Sequence, residues 1–179
     1  MFATLLQSFL VRLIPVSMVL LALQRSIFVD ILVFGVVAQL LLAFAASAGA
    51  AGGSERGAIV GFAAGVMYDL VGGTPLGSSA IALSLGGVVA GLLALVAADP
   101  QWWLKAVFVG LGAGAGEATV PVVRLFIGES NPWPPAMLKV VVVVAISSAV
   151  MSVALVPLAR WCLRIRGPEW TAPAEAEPV

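Results

Sequence analysis

The sequence predicts an all-α fold, a polytopic transmembrane bundle of about six helices, and three observations carry that prediction. Of the 179 residues, 61% are hydrophobic and 10% charged, with a mean hydropathy of +1.12, well beyond the composition of a soluble domain. Several apolar runs reach the roughly 20 residues that cross a hydrocarbon core about 30 Å thick. The alternation of a membrane barrel is missing, because stretches such as "VVVVVAISSAVMSVALVPLA" stay apolar at almost every position. Helices are then the remaining way to satisfy the backbone inside lipid.

Turn and charge signals place the segments near residues 5–24, 28–50, 57–72, 78–98, 103–127 and 137–160. The first contains "RLIPVSMVLLAL", which has the apolar core of a signal peptide but no small-x-small cleavage site after it, and it is read as a retained helix. The connections "GGSERG", "GGTPLG", "DPQWW" and "GESNPWPP" are short and rich in Gly and Pro, as turns require. The transmembrane domain is set at 1–166, and the acidic, proline-punctuated 167–179 is read as a disordered cytoplasmic tail.

Orientation follows the basic residues. Arg160, Arg164 and Arg166 put the C-terminus in the cytoplasm, and six crossings bring the N-terminus, Arg56 and Lys105 to the same side. Arg25, Arg124 and Lys139 fall toward the outer face. Trp102, Trp103, Trp133 and Trp161 fall near segment ends, where amphipathic rings favour the interface.

Lipid gives helices no hydrophobic reason to associate, so small residues must allow close backbone contact. Gly57, Gly61 and Gly65 recur every four residues, as do Gly87 and Gly91. At about 100° per residue, Gly110, Gly114, Glu117, Pro121 and Arg124 share one stripe of the fifth segment, with Gly112 and Gly116 nearly opposite. A helix with small residues on both sides is expected to be surrounded by neighbours.

Charges at membrane depth must face the interior and have partners. Asp69, at the end of the third segment, and Arg124, near the end of the fifth, fall at comparable depth, so an Asp69–Arg124 ion pair is expected, with Asp30 and Arg25 able to join it. Glu117 lies two turns from Arg124, too far for direct pairing along the helix; its expected partners are Gln39, Ser147 or Ser148, or else it is protonated. A polar clamp that fixes helix register explains these groups better than a proton relay, which needs a chain of titratable groups.

Zero net charge leaves no nucleic-acid footprint, and the single cysteine, Cys162, cannot form an internal disulfide. With no histidine there is no Ser–His pair and no His-ligated metal, so neither an enzyme nor a cofactor or metal site is expected.

"LLALQRSIF", "VDILVFGVVAQL" and "GAIVGFAAGVMYDLVGGTPLGSSAIALSLGGVVAGLL" together resemble the bacterial rod-shape-determining protein MreD family, whose pattern is a Gly-Phe helix ending in Asp, a short turn with "LG", and a further small-residue helix. The resemblance covers residues 10–95, and the remainder agrees in length, topology and hydropathy. It implies a fold related to the S-components of energy-coupling-factor transporters. It also implies a non-enzymatic scaffold of the cell-elongation complex in the inner membrane, one that binds the single-span protein MreC and helps couple it to a RodA-type polymerase, its transpeptidase and MreB. Asp69 and the turn holding Gly72, Pro75 and Gly77 match the family motif; Glu117 and Arg124 rest on the helical stripe alone. The alternatives are an S-component-like subunit that captures a small molecule, and a homo-oligomer formed through the glycine faces.

Overall fold

A computed structural model describes residues 2–27, 32–96, 101–128, 133 and 135–165. The described residues form six α-helices and one two-stranded hairpin: α1 (Phe2–Ser26), β1 (Leu32–Val33), β2 (Val36–Val37), α2 (Leu40–Gly52), α3 (Ser54–Gly72), α4 (Ser78–Val96), α5 (Trp102–Phe126) and α6 (Met137–Cys162). Three of them, α4, α5 and α6, are long and apolar enough to cross a membrane.

The second expected segment, 28–50, is corrected. Within it, residues 32–37 form an antiparallel hairpin with Leu32 opposite Val37 and Val33 opposite Val36, closed by Phe34 and Gly35. Both turn residues have positive φ, 51° and 83°, as the tight turn of a twisted hairpin requires. The β-branched residues around "FG" favour strand over helix. The helix therefore starts at Leu40 and has 13 residues, about 20 Å, short of a bilayer core.

That short helix is the axle of the molecule. Leu40 through Ala50 are all buried, and α2 packs against each of the other five helices. Around it α3, α4, α5, α6 and α1 form a closed ring, each packed on the next. The expectation that α5 would be the enclosed helix is also corrected, since Val107, Leu111 and Val122 of α5 are exposed. α2 suits the axle because nine of its 13 residues are Ala, Gly or Ser, which occupy little room between five neighbours, while Leu40, Leu41, Leu42 and Phe44 fill the space at its first turns.

Small residues close the ring. The Gly57–Gly61–Gly65 row of α3 lies on α4, where added Cβ atoms would run into the backbone at Gly87, Leu83 and Ala80 respectively. The two glycine faces of α5 are split between neighbours. Gly112 and Gly116 meet Gly86, Ala82 and Ala90 of α4, while Gly110 and Gly114 meet Ala145 of α6. Outward faces carry large apolar side chains at helical spacing, for example Val142, Ile146, Val150 and Val153 on α6, the reverse of a water-soluble bundle and the arrangement a bilayer-facing surface requires. Trp102, Trp103 and Trp161 are exposed at the end where α5 begins and α6 finishes, and Trp133 is exposed in the connection at the other end.

Candidate functional site

Asp69 stands in the last turn of α3, where a carboxylate opposes its own helix dipole. Its chemistry is directed at the next helix. Oδ2 accepts from the backbone N–H of Gly77 at 2.8 Å and of Ser79 at 3.2 Å. Oδ1 accepts from Thr74 Oγ1 at 2.8 Å, Ser78 Oγ at 3.2 Å and again the Ser79 N–H. Two of the N–H groups that open α4 without intrahelical partners are thereby satisfied by a negative charge at the positive end of that helix.

The "GGTPLG" turn is shaped to deliver those donors. Gly73 closes α3 in the left-handed conformation (φ 66°) and Gly77 takes φ 97° just before α4, positions where a side chain would be strained. The Pro75 carbonyl accepts from Ser78 N–H, and a Cβ at Gly72 would meet Arg25 Nη2 at 2.9 Å. The expected Asp69–Arg124 ion pair is therefore replaced. Asp69 is 1% exposed and its two oxygens are taken up by the loop that follows it, because donors within ten residues reach the carboxylate without a long side chain having to be ordered. Asp30 lies outside the described residues.

The N-terminus of α2, at this same end, is served in the same way. Gln24 of α1, also buried, accepts from the Leu41 N–H at 3.0 Å through Oε1 and so caps α2. Gln39, the residue at the N-cap position of α2, makes no cap bond of its own. It reaches α5, where its Nε2 donates to Glu117 Oε2 at 2.5 Å. Of the three partners the sequence offers Glu117, the structure gives it Gln39, while Ser147 donates back to the Val144 carbonyl of its own helix at 3.1 Å.

These groups surround a cavity of about 380 Å³ at the end of the bundle where α1, α3 and α5 finish. Gln24, Gln39, Tyr68, Thr74, Ser78, Ser79, Glu117 and Arg124 contribute its polar wall, and Leu41, Leu42 and Leu83 its apolar floor. Asp69 and Arg124 are thus brought to one end, with the Asp69 loop between Asp69 and the cavity. Gly61 and Gly65 take no part in it; they hold α3 on α4 below. Among the described residues no three His, Cys, Asp or Glu side chains gather into a metal-binding group.

A second surface lies along α1. The helix is latched at one end by Arg25, whose guanidinium sits 5.6 Å from the centre of the Tyr68 ring. Toward the other end Arg12 donates to the Trp161 carbonyl at 3.2 Å and stacks over that ring at 4.8 Å. Beside the second latch, Val11, Pro15, Val16, Val19 and Leu20 of α1 and Leu158 of α6 line an almost wholly apolar groove of about 450 Å³.

Sequence reasoning missed Gln24, Thr74, Ser78 and Ser79. The signal was present, since an acid at a helix C-terminus followed by Thr and Ser at the start of the next helix is the reverse of the dipole preference unless the acid serves that next helix. No family model, no curated protein and no solved structure matches the chain.

Proposed function

We propose that this protein is a non-enzymatic membrane scaffold of the bacterial rod complex, an MreD-type subunit that docks the transmembrane helix of an MreC-type single-span protein. On this reading it acts in the inner membrane with both termini cytoplasmic, and through MreC it meets a RodA-type polymerase, its transpeptidase and MreB. The observation that carries it is the open, almost wholly apolar groove between α1 and α6, beside a bundle whose helices are held together through small residues. A polar cluster that pins helix ends keeps such a groove in one shape, which is what a partner helix must recognise when lipid offers equal apolar contact. The motif "GFAAGVMYDLVGGTPLG" adds the resemblance.

The test is occupancy of the groove. Val19 is 59% exposed on its wall, so Val19→Trp fills the groove without entering the core. Co-purification of an MreC-type partner is expected to fall at least 10-fold while the melting temperature stays put. Leu111→Trp, on the outward face of α5, is expected to leave both unchanged. Full partner recovery with Val19→Trp contradicts the proposal.

A second reading, a small-molecule subunit related in fold to the S-components, is favoured by one observation: the polar cavity at the Asp69 end.

A further inference from the structure

The cavity has a lopsided wall. Glu117 is the acid among the residues that line it, and it is half committed. Gln39 donates to Oε2, while Oε1 accepts no hydrogen bond from a described residue. That pairing sets the Gln39 amide, since only its NH₂ end can donate to a carboxylate, and leaves the Gln39 carbonyl oxygen as a further acceptor. The hydroxyl hydrogens of Thr74 and Ser78 are both spent on Asp69, so toward any other group these two oxygens offer lone pairs. Glu117, about 13 Å below the end of α5, thus shares the cavity with acceptor oxygens of Gln39, Thr74 and Ser78, while the donors of the wall are the Gln24 amide, the Tyr68 and Ser79 hydroxyls and the Arg124 guanidinium. Arg124 lies on the same stripe of that helix nearer its end and also lines the cavity.

We infer that Glu117 is ionised in the filled cavity and that the cavity binds a small zwitterion, with a primary ammonium seated at Glu117 and an anionic group toward Arg124. This is the chemistry shared by phosphoethanolamine in solution and by the ethanolamine-phosphate headgroup of a lipid. The three donors of an ammonium match Glu117 and the acceptor oxygens of Gln39, Thr74 and Ser78, and neutralise a carboxylate set at membrane depth. An anion alone meets Glu117 with like charge, and an uncharged ligand leaves that carboxylate oxygen without a partner. A quaternary ammonium has the charge but no N–H, so choline analogues serve as the control. The volume lies within the range of small-ligand sites, about 300–1,000 Å³. The inference gives the second reading its ligand class and rests on the cavity alone; the α1–α6 groove is a separate face, so either test can fail without the other.

Purified protein in nanodiscs with equal phosphatidylethanolamine and phosphatidylcholine, examined by native mass spectrometry, reads lipid retention directly. Calorimetry with free phosphoethanolamine and phosphocholine reads the soluble form. The wild-type chain is expected to prefer the ethanolamine species at least 10-fold in one format, and Glu117→Gln to bring the two to parity. Preference in nanodiscs only assigns the site to lipid; preference for the free compound assigns it to the soluble zwitterion. Equal binding of both head groups by the wild-type chain in both formats overturns the inference, as does a preference that Glu117→Gln leaves intact. The wild-type comparison needs no variant, so it decides the matter even where Glu117→Gln fails to fold.

Discussion

Asp69 gathers four donor groups from its following loop onto one buried carboxylate. Hydrogen bonds to a charged group each contribute about 1.5–3 kcal/mol, against about 1 kcal/mol for a neutral pair. Asp69→Asn keeps the shape but removes the charge and turns one acceptor into a donor, which faces the Ser79 N–H in either amide orientation. It is expected to destabilise the bundle by about 2 kcal/mol, read from denaturant unfolding in detergent. Thr74→Val, which deletes one neutral donor, is expected to cost about 1 kcal/mol. A loss for Asp69→Asn no larger than that for Thr74→Val contradicts the capping role. The importance of Asp69 was legible in the sequence as an acid inside an apolar run; its partners were not. Reasoning by depth pointed to Arg124, whereas the dipoles of α3 and α4 decide the matter through a loop within ten residues. Glu117 was read from its place on a helical stripe, and Gln39 could be named because few other polar groups share its depth.

Between elements, the glycines differ in what stands opposite them. A Cβ at Gly87 meets the backbone of Gly57, which cannot yield without separating α3 from α4. A Cβ at Gly114 meets the Cβ of Ala145 at 3.3 Å, a contact that a few tenths of an ångström relieve. Gly87→Ala is therefore expected to cost about 3 kcal/mol and Gly114→Ala less than about 1.5 kcal/mol, measured by the same unfolding assay; the reverse order contradicts the packing described. The four-residue glycine spacing made these contacts legible, and the two faces of α5 do meet different helices. The hairpin at 32–37 was hidden because continuous apolar character reads as helix over any window long enough to span a bilayer. The local evidence was Phe34–Gly35 set among Ile, Leu and Val, and it was outweighed by length. The consequence was a helix misjudged in span and in place, since the true α2 is too short to cross alone and lies at the centre.

For the whole molecule, a five-helix ring around a short axle carries two features that bear on function. One is the polar cavity at the end where α1, α3 and α5 finish, and the other is the apolar groove beside α1. Neither was visible in the sequence, because each is made by residues from segments far apart in the chain whose angular placement depends on the axle. The ring packs interior glycine and alanine against one another and turns Val, Leu, Ile and Trp outward, so its shape comes from backbone contact and from the caps that Asp69 and Gln24 supply. A partner helix meeting that shape has an apolar recess to enter in the α1–α6 groove. The most direct test places a photo-crosslinking amino acid at Val19 or Leu158 in the groove and at Leu111 on the outward face of α5, in cells that express an MreC-type protein. The account predicts crosslinks to its single transmembrane helix from Val19 and Leu158 and none from Leu111; crosslinks from Leu111 with silence at both groove positions would contradict it.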